Sequence, residues 1–109
     1  MPSNAFQSLS FSASSAYTGE ALDCSMCSTV ALQCVATGID KADGTIKLQK
    51  SVDGTTFADF AAATTVAAAG TAYIIEDEPA SCAYYRAVWA KGTNAAGTVA
   101  VKILAKANR

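Results

Sequence analysis

Histidine is absent from this 109-residue chain. That omission removes the commonest general base and with it any Ser-His triad. Charge is scarce as well: eight basic and nine acidic residues leave a net charge of −1. Without a basic stripe there is no electrostatic footprint for nucleic acid. Without a polybasic segment or a long apolar run there is none for a membrane. No stretch of any length repeats its apolar residues with the helical period. The opening "MPSNAFQSLSFSASS" lacks the basic start and continuous apolar stretch of a secretory leader. The expectation is a chain with no signal peptide, no nucleic-acid partner and no membrane partner.

What is present is alternation. In "SLSFSAS", Leu9, Phe11 and Ala13 point one way while Ser8, Ser10, Ser12 and Ser14 point the other. "TVALQCVA" sets Val30, Leu32, Cys34 and Ala36 against a second, semi-apolar face. In "TIKLQKSV", Ile46, Leu48 and Val52 are expected inward, with Lys47, Gln49 and Ser51 outward. Lys50 falls on the inner face, which implies a bulge or a sheet edge there. Asp53-Gly54 then supplies a hairpin turn, with Phe57 and Phe60 on the returning strand. Residues 61–70 read as a loop or short edge strand, with one helical turn as the fallback. "TAYIIED" is a strand ended by the loop "EDEPAS", and "CAYYRAVWA" is a strand with large residues on both faces. "TVAVKILAKA" closes the chain with Val99, Val101 and Ile103 inward and Lys102 and Lys106 outward. The last two strands, joined by "KGTNAAG", are expected to form a second hairpin.

This rhythm of about seven to eight strands with turn signals between them predicts an all-β chain, a single antiparallel β-sandwich of jelly-roll or Ig-like form. Residues 1–109 form one domain in this reading. Apolar residues are 51% of the chain, but much of that is alanine, which buries little area per residue. The core should therefore be thin and supplemented by burial against another subunit.

Four cysteines are the only candidate metal constellation. Cys24 and Cys27 form a half-site, "CSMC", but Cys34 and Cys82 do not make a second one, and no histidine can substitute. Buried reduced thiols are the first reading, a disulfide the second and zinc a distant third. No metal and no cofactor is expected. The acids Glu76, Asp77 and Glu78, and Asp40, Asp43, Asp53 and Asp59, read as solvated loop carboxylates rather than a glycosidase pair or a calcium site. No catalytic residue is assigned, so the expectation is that the chain is not an enzyme. Tyr84, Tyr85, Arg86 and Trp89 share one strand. One alternating pair is core, while the other is a candidate interface anchor or sugar-stacking platform.

"LQKSVDGTTFADF", followed by Tyr84 and Arg86 and then by "GTVAVKILAK", resembles a pattern of small bacteriophage virion structural proteins. Those carry "lqxSxDGtxWxdi", then "YxRvxy", then "sGtgtvxvxxxaK"; Phe57 stands here where Trp is common. The resemblance covers roughly the C-terminal two thirds, while residues 1–43 match no known pattern. It implies a capsid decoration or minor head protein that assembles as a homo-oligomer on the virion and performs no catalysis. The implied partners are copies of itself and a major capsid or other virion protein, with assembly in the host cytoplasm. Pro2, Ser3, Asn4 and Phe6, within residues 1–6, are then a candidate docking arm. A carbohydrate-binding β-sandwich module, which shares the "S-DG-T-F/W" hairpin, and a tail or fibre component are the alternatives.

Overall fold

The computed structural model describes residues 5–25, 27–60, 62–77, 79–80 and 82–107. Within them the regular elements are strands: β1 (Ala5–Ser12), β2 (Tyr17–Thr18), β3 (Leu22–Asp23), β4 (Cys27–Thr37), β5 (Gly44–Ser51), β6 (Ala58–Asp59), β7 (Thr64–Val66), β8 (Tyr73–Asp77), β9 (Tyr84–Ala90) and β10 (Thr98–Ala107). Every pairing is antiparallel. Sheet A has the order β1-β10-β4-β8. Sheet B has the order β2-β9-β5-β6, with β3 also on β9 and β7 also on β5.

The short segments come in two pairs. β2 and β3 follow one another along β9, and β6 and β7 follow one another along β5. Counting each pair as one interrupted strand reduces ten segments to eight positions, ordered 1-8-3-6 in one sheet and 2-7-4-5 in the other. That is the order of a jelly roll, the first of the two sandwich forms expected. The ambiguous alanine-rich stretch contributes the short edge strand β7, whose Val66 is fully buried.

Alternation delivers the core. Sheet A supplies Val30, Leu32, Cys34, Ala36, Val99, Val101, Ile103 and Ala105, with Leu9 and Phe11 packed against them. Sheet B supplies Ile46, Leu48, Tyr85, Ala87 and Trp89. Leucine, isoleucine and valine burials of this kind each stabilise by about 1.5–3 kcal/mol. Trp89 is the largest wholly buried side chain. Its indole N–H donates to the carbonyl of Ala13 at 3.2 Å, tying sheet B to the end of β1. A Cβ on Gly44 would lie 2.5 Å from that ring, so only glycine fits opposite it.

Four expectations are corrected. β9 and β10 do not form a hairpin, since β10 lies between β1 and β4 in the opposite sheet. The reason is coverage: Tyr85 and Trp89 on β9 need a facing layer, and Val99, Val101 and Ile103 on β10 provide it from the other side. The connection 91–97 therefore crosses between sheets and packs on the other crossing, 38–43. Asp43 accepts from the N–H and hydroxyl of Thr93, and Asp40 from the N–H of Ala95 and Ala96. Buried Asn94 accepts from Lys41 N–H and donates to Lys91 O.

The β5–β6 hairpin exists, but its loop is residues 52–57 rather than a two-residue turn. Ser51 is buried and Val52 exposed, the reverse of the strict alternation. The Ser51 hydroxyl accepts from the N–H of Asp53 and Gly54, and its own proton goes to Asp53. Asp53 also accepts from the N–H of Thr55 and Thr56. These last two contacts, more than the first, hold the Asp53 carboxyl down to about 2. Lys50 marks neither a bulge nor an edge: its register is unbroken, and β5 is paired on both sides there. Pro2, Ser3 and Asn4 of the expected docking arm lie outside the described residues, whereas Phe6 belongs to β1.

Candidate functional site: the polar and thiol-lined end of the sandwich

Chemistry-bearing side chains gather at the end of the sandwich opposite Trp89. Period two along β8 turns Tyr73, Ile75 and Asp77 inward, so an acid enters the interior at the strand's last residue. From sheet B, β9 brings Tyr85 and β5 brings Lys50, which are register partners. The Tyr85 hydroxyl donates to Asp77 Oδ2 at 2.5 Å. Lys50 Nζ lies 3.5 Å from the same oxygen and 4.8 Å above the Phe60 ring. Burial, and then the donated bond to a carboxylate, push the Tyr85 phenol well above its usual value. Asp77 is thus a structural acceptor joining the two sheets rather than a solvated loop acid.

Beside it, Cys24, Ser25, Cys27, Val52, Ala80, Cys82 and Ala83 line a shallow cavity of about 300 Å³. "CSMC" does bend: Cys27 N–H donates to Cys24 O at 3.0 Å, closing a turn. Cys24 N–H donates to Ala83 O, which sets that turn against Cys82's neighbour. All four cysteines are free thiols. Among the described residues no group of three or more His, Cys, Asp or Glu is placed to hold a metal ion.

Burial raises Cys24, Cys27 and Cys34. Cys24 goes up to about 12, with Cys27 and Asp23 adding to the effect, and Cys34 to about 11. Cys27 is also raised by burial, although it is half-exposed. Cys27 and Cys82 are partly exposed while Cys24 and Cys34 are buried, so iodoacetamide at pH 8 should reach Cys27 and Cys82 in the native chain. Cys24 and Cys34 should react only after denaturation, as read by peptide mass spectrometry. The linkage has a definite sign. Folded values above the free thiol's 9.0 favour the protonated fold, and that stability is complete below pH 9. It declines as pH rises toward 11 and 12, because the unfolded chain loses these protons first.

Tyr85 and Trp89 are the core pair of the aromatic strand. Tyr85 and Trp89 are 0% and 1% exposed, so neither presents a face to a sugar or partner. Tyr84 and Arg86 point outward, but both are engaged with the hairpin. Tyr84 packs over Gly54, and the Arg86 guanidinium sits 4.0 Å from the Phe57 ring centre and donates to Gln49. Phe6 stands apart from all four on sheet A, 59% exposed.

A different surface was not singled out from the sequence. On the outer face of sheet A, Phe6, Ala31, Leu32, Gln33, Ile74, Glu76, Lys102 and Leu104 line a depression of about 290 Å³. Its signal was readable in the off-phase residues of each strand: Ile74 between Tyr73 and Ile75, and Leu104 between Ile103 and Ala105.

Neither a family model nor a curated protein matches the chain. Solved structures do share its architecture. A structure of Bacillus endospore appendages, described as a novel family of disulfide-linked pili, aligns with a TM-score of 0.51 at 13% identity, over 97% of this chain and 88% of that one. The Yersinia pseudotuberculosis-derived mitogen aligns with a TM-score of 0.50 at 12% identity, over 100% and 90%. A chain of infectious bursal disease virus, Gx strain, aligns at only 0.33, over 92% of this chain and 36% of that one. At these identities the first two likenesses establish the two-sheet fold and nothing further.

Proposed function

We propose that the chain is a structural, non-enzymatic subunit of a bacteriophage virion, a capsid decoration or minor capsid protein that assembles as an oligomer on the particle. One observation carries this reading. The outer face of sheet A exposes Phe6 at 59%, Ile74 at 58% and Leu104 at 38%. Contiguous exposed apolar side chains mark an interaction surface.

The virion-like pattern supports it in detail. Its three segments fall on β5 to β6, on β9 and on β10, the strands that build the sheet pair. A sandwich of similar fold forms pili in the Bacillus endospore appendages, so this architecture is compatible with repetition of one chain. A mitogen has it too, so fold alone does not choose between roles. The carbohydrate-binding reading loses its platform with Trp89 and Tyr85 in the core.

The test is quantitative mass spectrometry of density-banded, salt-washed virions from a culture that encodes the chain. The expected result is a fixed copy ratio to the major shell protein, with immunogold labelling on the head rather than the tail. Absence from washed particles would overturn the proposal, and labelling confined to the tail would move it to the fibre alternative.

A further inference from the structure

We infer that the outer face of sheet A is a homotypic interface, on which a second copy of the chain packs face to face about a two-fold axis parallel to the strands. This rests on the assembly reading above for its purpose, and on the following geometry for its form. The registers place outward residues in rows across the sheet. One row reads Phe6, Leu104, Ala31, Glu76, and the next reads Ser8, Lys102, Gln33, Ile74. Beyond the first row lies Lys106 opposite Thr29, and beyond the second lies Ala100 opposite Val35. The apolar side chains thus form an oblique stripe, with Lys102 and Lys106 on either side of Leu104 along β10 and Glu76 next to Ile74 on β8.

A two-fold axis along the strands sets β1 over the second copy's β8 and β10 over its β4, while each row faces its own equivalent. Leu104 then faces the second copy's Ala31, with that copy's Leu104 one strand away across the axis, and Phe6 faces its Glu76, with Ile74 one row along. Glu76 of one copy falls over Phe6 of the other, one strand from that copy's Lys102 and Lys106 and level with the gap between them. Among the described residues, Glu76, Lys102 and Lys106 have no ion pair within their own chain. The arrangement therefore complements itself in charge as well as in apolar surface, as an isologous contact requires. Face-to-face sheets spaced about 10 Å apart with nearly aligned strands are an ordinary packing mode.

The size is adequate. Four strands at about 4.8 Å spacing and about eight residues at ~3.3 Å each present roughly 500 Å² per copy. The pair then buries about 1,000 Å², where a specific contact begins to stand out from an incidental one. The outer face of sheet B offers no comparable surface. There Lys47, Gln49, Asp59 and Arg86 are joined to one another by hydrogen bonds, and Phe57 lies against Arg86.

The test is sedimentation equilibrium of the purified chain, with thermal melts as a check that each variant folds. The expected result is a reversible dimer with a dissociation constant on the order of 1–100 µM. Leu104→Glu should weaken it about tenfold or more, and Glu76→Lys about fivefold. Adding Lys102→Glu and Lys106→Glu to Glu76→Lys should restore it. A chain that stays monomeric at millimolar concentration, or a dimer indifferent to Leu104→Glu, would overturn the inference. Were the chain monomeric while Leu104→Glu removed it from virions, a different partner would cover the face, and only the virion reading would stand. Dimerisation through this face by a chain missing from virions would leave the interface standing and remove the virion role.

Discussion

Trp89→Ala should lower the free energy of unfolding by about 3–5 kcal/mol, the cost of deleting a large buried aromatic side chain. Domains of this size have only about 5–15 kcal/mol in total, so the variant should sit at or near the edge of folding. The indole does three things at once. It fills the space between β1, β5 and β9, with Phe11 tilted against it at 6.3 Å between ring centres. It donates to Ala13 O, a buried carbonyl left without that donor by the substitution. It also packs over Gly44, whose missing side chain cannot close the cavity. Urea denaturation followed by circular dichroism measures the loss. Trp89→Phe keeps most of the volume and loses only the indole donor, and should cost roughly 1–3 kcal/mol. A loss below about 1 kcal/mol for alanine would mean that Trp89 is not the keystone of this layer.

The fold was legible where a strand obeys a single rule. In β4 and β10 every inward residue follows from period two, because both strands lie inside sheet A with one face on the core. Legibility failed where the information is non-local. Nothing local to "KGTNAAG" says whether its strands pair or cross to opposite sheets. That choice follows from core coverage, and the crossing is held by Asp40 and Asp43, fifty or more residues earlier in sequence, taking the loop's N–H groups. The "SVDG" hairpin is present, with Gly54 at positive φ, but its loop is longer for a different reason. The Ser51 and Asp53 side chains satisfy the backbone in place of a two-residue turn, and side-chain competition of this kind overrides turn statistics. At the candidate site, Asp77 looked like one of three loop acids, although its phase with Tyr73 and Ile75 already placed it inside. The outer-face stripe was overlooked because Phe6, Ile74 and Leu104 are scattered along the sequence, and only register brings them into adjacent rows.

Asp77→Ala should cost about 2–3 kcal/mol at neutral pH, more than any surface acid in the chain, because it removes the Lys50 ion pair and leaves the buried Tyr85 hydroxyl without its acceptor. Tyr85 is wholly buried, so its hydroxyl cannot turn to water. The Lys50 ammonium loses the carboxylate 3.5 Å away while its side chain remains only 24% exposed. Tyr85→Phe should cost less, about 1–2 kcal/mol, since Asp77 keeps Lys50 as a partner. The two changes cannot be additive if the hydrogen bond is what links them. With the phenol already gone, removing the acid no longer strands the Tyr85 hydroxyl, so the double variant should be about 1–2 kcal/mol more stable than the sum of the single losses. Additivity within experimental error in chemical denaturation would mean that the 2.5 Å contact contributes no coupling. The position explains why the interaction matters. Asp77 is on sheet A, while Tyr85 and Lys50 are on sheet B, so the bond closes one end of the sandwich as the Trp89 to Ala13 bond closes the other. Between those ends the sheets are held by small apolar side chains that specify relative position weakly. A directional contact at each end fixes the sheets against sliding, and a fixed outer face is what any repeated contact between copies would require.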